Sequence, residues 1–256
     1  MTTTIMFHDA ESKLKWANQN IIKLTRGVED FRQSGCYETR TEDDLQTGKR
    51  FHIFEVTKQV PDDLQMLSSD IIANLRSALD SAVKELVAHF GGLPAGQQLF
   101  PLGPTWKKMV TAVKSGVVEG LPVQVASVIQ GILQRNIVDP DARGDVSFTI
   151  CNVFDAVDQH DMLLPVVPLA GLTVKVRTKT GTERTISFSM GEGEQKGTIE
   201  LLPDEQVENN GQFVLYIAFE RVEGFKRQAV LTTLSHLSQT VKEVIRIFTK
   251  ACEVFR

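Results

Sequence analysis

A chain of 256 residues, 42% apolar and 23% charged, is long enough to bury a sizeable core and too apolar for wholesale disorder. Its net charge of −4 supplies no global attraction to nucleic acid or to an anionic membrane, so either kind of binding requires a local patch. The cysteines Cys36, Cys151 and Cys252 are widely spaced and form no CxxC pair, which excludes a disulfide framework and a zinc ribbon and fits a reducing cytoplasm.

The opening text "MTTTIMFHDAESKLKW" carries no basic region followed by an apolar core, and no apolar run approaches the roughly 18 residues of a spanning helix. Neither secretion nor membrane insertion is expected. From Phe7, the positions Phe7, Ala10, Leu14, Ala17, Ile21, Leu24, Val28 and Phe31 alternate steps of three and four, which predicts a helix with one apolar side. Gly35 is placed to end it. "CYETRTE", the polar "DDLQTGK" and "RFHIFEVTK" then read as a β-hairpin ending at Pro61.

"PDDLQMLSSDIIANLRSALDSAVKELVAHFGG" begins with proline and two aspartates and ends in Gly-Gly, so both ends of a helix of about eight turns are marked. After the Pro/Gly-rich "GGLPAGQQLFPLGP", the texts "TWKKMVTAVKSGVVEG", "PVQVASVIQGILQRN" and "VSFTICNVFDAVDQHDMLLP" are expected to be helical. From Leu172 the period changes to two: "LTVKVRTKTGTERTISFSM", with Thr180-Gly181 near its turn, "GTIELLP" and "GQFVLYIAFERV" predict antiparallel strands. The closing helix carries Leu231, Leu234, Ser238, Val241, Ile245, Phe248, Cys252 and Phe255 on one stripe and Val230, Leu237, Val244 and Ala251 on a second. Such a wide arc predicts a helix central to its bundle or packed in a dimer. The expected fold is therefore α+β, in a single domain of residues 1–256. Long helices drawn from 7–35, 61–91, 104–165 and 226–256 form a bundle, with a β-hairpin at 36–60 and a small antiparallel sheet at 172–222.

Two charges interrupt the apolar text of the second long helix. Arg76 lies between Ile72 and Val83, and Asp80 follows one turn later on the same face. A guanidinium among apolar residues must find acceptors. Asp158 and His160 of "NVFDAVDQHDMLLP" are candidate neighbours, which would make a polar cluster of Arg76, Asp80, Asp158 and His160 with His160 as base and Arg76 as anion clamp. As a purely structural network, the same cluster would fix helix register.

"NLRSALDSAV", "LFPL" and "VFDAVDQHDMLLPV", in this order after a long helix and a hairpin, resemble a group of uncharacterised bacterial proteins whose patterns read "NLRSALDH" and "DKH". The likeness spans roughly residues 7–167. Two positions depart from it: Ser81 stands where that pattern has histidine, and Gln159 where it has lysine. The pattern's arginine, four residues, histidine is similar to the motif of HEPN-type helical ribonucleases, whose arginine and histidine act on the RNA phosphodiester. None of His8, His52, His89, His160 and His236 follows an arginine at that spacing. The resemblance thus implies a HEPN-like helical protein without the catalytic pair, acting as a binding or regulatory component of a prokaryotic defence or phage-related system.

Other texts carry weaker signals. "MGEGEQKG" lacks a GK[ST] ending and opens no helix, so a hairpin loop is expected. "DPDARGD" sets Asp139, Asp141 and Asp145 in a calcium-loop register, but Arg143 and Ile150 occupy ligand places. No metal site and no cofactor are expected. Lys175, Arg177 and Lys179 share one face of "TVKVRTK", which reads first as an ordinary solvated strand and second as a candidate contact for an RNA backbone. The expected partners are another protein or a second copy of the chain through the closing helix, with RNA as a further candidate.

Overall fold

The computed structural model describes residues 7–90, 100, 123, 126, 127, 131, 166–189, 196–219 and 229–255. The architecture is α+β, with three long helices, α1 (His8–Gln33), α2 (Asp62–His89) and α3 (Val230–Val254). Six strands accompany them: β1 (Tyr37–Asp43), β2 (Arg50–Val56), β3 (Val166–Thr178), β4 (Glu183–Ser189), β5 (Lys196–Leu201) and β6 (Glu205–Phe219). Of the texts expected to be helical between α2 and β3, residues 123, 126, 127 and 131 are helical. The helix expected up to Pro165 lies outside the described residues. No described helix is long and apolar enough to cross a membrane.

The chain divides into two compact units. The first comprises residues 1–24, 66–164 and 231–256, and so holds most of all three helices. The three-four spacing of α1 is realised: Phe7, Ala10, Leu14, Ala17 and Leu24 are buried within this unit. α1 runs antiparallel to α2, because Ala10 meets Glu85 while Lys13 meets Ser81. It is antiparallel to α3 as well, with the Phe7 and Phe248 rings 6.2 Å apart and the Ser238 hydroxyl donating to Asn18 Oδ1 at 2.6 Å. The stripes of α3 are buried along most of their length, with Leu234, Val241 and Phe248 on one and Leu237, Val244 and Ala251 on the other, while Leu231 is part-exposed and Phe255 exposed at the two ends. Its wide apolar arc is thus covered inside the unit, and it is the central-helix alternative that the structure realises.

The second unit comprises residues 25–65 and 165–230. It contains two three-stranded antiparallel sheets, ordered β1-β2-β5 and β4-β3-β6. The hairpin and its ends fall where the sequence predicts. Gly35, at φ +68°, closes α1, and Asp44 accepts the Gln46 amide at 2.9 Å in the β1-β2 turn, where Gly48 takes φ +69°. Thr180-Gly181 forms the β3-β4 turn.

The later strands depart from the expected single sheet. β5 leaves β3, β4 and β6 and pairs with β2 instead, with Ile199 opposite His52. The "MGEGEQKG" text therefore does not join two paired strands; its residues 190–195 lie outside the described ones. β3 also begins at Val166, six residues before the change of period at Leu172. Among the described residues its Pro168 pairs with β6, and β4 joins at Gly171; a strand position with one ladder neighbour tolerates a missing amide donor.

Candidate functional site

α2 answers what its two charges do. At about 100° per residue, Ile71, Leu75, Ala78, Leu79 and Ala82 form the centre of a buried arc, with Ile72, Val83 and Val87 towards one edge. Arg76 and Asp80 lie on that edge, with side chains 12% and 16% exposed. Arg76 Nε donates to Asp80 Oδ2 at 3.2 Å. The pair then takes up both polar groups of one peptide: Asp80 Oδ1 accepts the Phe100 amide at 2.7 Å, and Arg76 Nη2 donates to the Phe100 carbonyl at 3.3 Å. Phe100 is 1% exposed, so its backbone would be costly to bury unbonded, and the ion pair supplies the partners that a neighbouring strand would otherwise provide. Arg76 Nη1 is buried without a hydrogen-bond partner among the described residues.

The opposite side of α2 is polar for a different reason. Ser81, at the position where the resembling pattern has histidine, is buried and accepts from Lys13 Nζ at 2.7 Å. Five residues of helix separate it from Arg76 and rotate it by about 140°. Ser81 therefore belongs to the α1 interface and Arg76 to the Phe100 contact. Next along, Glu85 accepts the Ala10 amide at 3.1 Å in the first turn of α1, satisfying an orphan donor there from another helix. Burial pushes the Glu85 carboxyl up, and its hydrogen bonds from the first amides of α1 offset part of the rise.

Asp158 and His160 lie outside the described residues; among the described residues the cluster joins Arg76, Asp80 and the Phe100 peptide. The strand residues are placed as expected only in part. Lys175 and Arg177 are exposed on β3 while Val174 and Val176 are buried, but the strand ends at Thr178 and leaves Lys179 in the turn. Arg177 is ion-paired with Glu183 on β4 and with Glu208 on β6, the latter at 2.9 Å. Lys175 stands opposite Glu208 in the β3-β6 register. The Lys175 and Arg177 face is thus interleaved with carboxylates from both neighbouring strands. The Asp139, Asp141 and Asp145 text lies outside the described residues.

Reasoning from sequence missed two buried ionisable groups. Glu205 is 1% exposed and bound by the Arg184 fork, with Nη2 to Oε2 at 2.6 Å, while also accepting the Leu202 amide at 2.8 Å. The Arg184 hydrogen bonds hold the Glu205 carboxyl below its ordinary range. His52 is buried on β2. Its phase with Phe54 and Val56 in "RFHIFEV" was the available signal. Among the described residues, no group of three or more His, Cys, Asp or Glu side chains is arranged to hold a metal ion.

These features define an α+β chain in which, among the described residues, the Arg76 and Asp80 pair binds the chain's own backbone. Comparison with protein-family models, with curated proteins and with solved structures finds no match to this chain.

Proposed function

We propose that the chain is a non-catalytic, HEPN-like helical protein that binds or regulates a partner in the cytoplasm, in a prokaryotic defence or phage-related setting. The observation that carries the non-catalytic part is the engagement of Arg76. A phosphodiester clamp must present its guanidinium to solvent and have a proton-transfer group beside it. Arg76 is 12% exposed and bonded to Asp80 and Phe100, and the histidine position of the resembling pattern is a serine turned towards α1 and held by Lys13. The setting and the HEPN-like character rest on the resemblance of "NLRSALDSAV" and "VFDAVDQHDMLLPV".

The competing reading, a nuclease or hydrolase using Arg76, Asp80, Asp158 and His160, requires Arg76 to leave the Phe100 carbonyl. An assembly role through α3 is disfavoured by the burial of most of both its stripes within the chain. The test is incubation of the purified full chain with labelled single-stranded RNA, alongside Arg76→Lys and His160→Ala variants, with cleavage and binding measured together. The proposal expects no cleavage by any of the three proteins. Cleavage by the wild type that either substitution abolishes would overturn it.

A further inference from the structure

His52 occupies β2, the central strand of the β1-β2-β5 sheet, and is 2% exposed. Its neighbours in register are Thr41 on β1 and Ile199 on β5. The Thr41 hydroxyl lies 3.2 Å from Nδ1, and Nε2 is buried with no hydrogen-bond partner among the described residues. A neutral imidazole has one N–H and one lone pair, so a single hydroxyl satisfies half of it at modest cost. A protonated imidazole carries N–H groups on both nitrogens and a full charge, which would leave a charged donor at Nε2 without an acceptor.

Among the described residues, the charged groups around His52 are already paired with one another. On the same sheet face, Asp43 of β1 and Arg50 of β2 are bound to each other at 2.6 Å. The β5 residues of that face are Gly197, Ile199 and Leu201. β3 adjoins β2 with Val174 and Val176 buried, and its Arg177 is held by Glu183 and Glu208. Glu205 is bound by Arg184. In the 25–33 part of α1 the buried side chains are Val28 and Phe31, and Glu29 is paired with Arg32 at 2.8 Å. Burial accordingly lowers the basicity of His52.

We propose that His52 is a proton-sensitive switch: protonation of its imidazole opens the β1-β2-β5 sheet, giving this unit an acid response at pH values where the carboxylates are still ionised. Because the open state takes up a proton more readily than the closed one, closure is fully favoured above the ordinary histidine value and weakens as pH falls below it. Its opening equilibrium rises by up to about tenfold per pH unit below about 6.5.

The experiment is hydrogen exchange on the full chain between pH 7 and pH 5, corrected for intrinsic exchange. The Ile53 and Phe54 amides report on the sheet, and the Val241 and Val244 amides of α3 serve as the internal reference. The expected result is a loss of protection of up to about tenfold per pH unit on β2, with none on α3, and no such loss in His52→Gln, which cannot titrate. An unchanged β2 profile in the wild type, or the same loss in His52→Gln, would overturn the proposal. Should His52→Gln fail to fold, the wild-type imidazole titration followed by NMR decides: a folded-state midpoint below 6.5 supports the switch, and one at or above 6.5 refutes it.

Discussion

Removing Arg76 and Asp80 singly and together measures what the clamp contributes. Arg76→Ala deletes the 3.2 Å bond to Asp80 and the 3.3 Å bond to the Phe100 carbonyl, both long, and takes the Arg76 charge away from a carboxylate 16% exposed. Charged hydrogen bonds of ordinary geometry contribute about 1.5–3 kcal/mol and a broken buried pair costs about 3–5 kcal/mol, so a loss of about 2–4 kcal/mol is expected here. Asp80→Ala deletes the shorter 2.7 Å bond from the Phe100 amide and strands a guanidinium that already has one unpartnered nitrogen. Its cost should be the larger, about 3–5 kcal/mol. In the double variant no charge is stranded, so the two losses should fall short of additivity by about 1–3 kcal/mol. Urea unfolding at pH 7 gives all four stabilities. Arg246→Ala is the control, since Arg246 and Glu243 are paired at the surface and half exposed; its midpoint should barely move. An Arg76→Ala midpoint as close to wild type as that of Arg246→Ala would refute a structural role for the pair.

Two further outcomes follow from the buried carboxyls. Glu85→Gln should match wild type within about 0.5 kcal/mol in thermal melts at pH 7, because the amide oxygen can still accept from Ala10 and no longer carries a charge that burial disfavours, whereas Glu85→Ala should lose about 1 kcal/mol with its cap on α1. Arg184→Met strands Glu205, and with Arg184 46% exposed and the Leu202 amide still bonded, a loss of about 2–3 kcal/mol is expected by denaturant titration. The Glu205 carboxyl is lowered in the folded state, so its contribution is present above the ordinary glutamate value of 4.5 and lost as pH falls through its depressed one. The stability difference between wild type and Arg184→Met should therefore narrow in acid.

Elements whose signal is local were legible in the sequence. The three-four spacing from Phe7 to Phe31, Gly35 at the end of α1, the 36–60 hairpin and the Thr180-Gly181 turn each depend on residues a few places apart, and the structure has them there. Pairing partners were not legible, because a period of two assigns a strand without naming its neighbour; hence β5 was expected beside β3, β4 and β6 and joined β2. The carboxylates beside Lys175 and Arg177 were not legible for the same reason, since Glu183 and Glu208 come from other strands.

At the candidate site, the Arg76 and Asp80 pair was visible as two charges one turn apart. Its third member was not, because a side chain that binds a peptide group leaves no mark on the identity of the residue it binds. The Glu85 contact with the Ala10 amide was hidden in the same way.

The most direct test of the central claim, that Arg76 and Asp80 hold the chain's own backbone, is the exchange rate of the Phe100 amide in the full chain. The wild type should protect it to a degree comparable with the interior of α2, since its hydrogen is bonded to Asp80 at 2.7 Å and the residue is buried. Asp80→Asn should still fold and keep an acceptor oxygen, and the Phe100 amide should exchange faster while amides of α3 stay unchanged. A Phe100 amide that exchanges freely in the wild type, or that is indifferent to Asp80→Asn, would contradict the clamp and leave Arg76 available for a partner or a substrate.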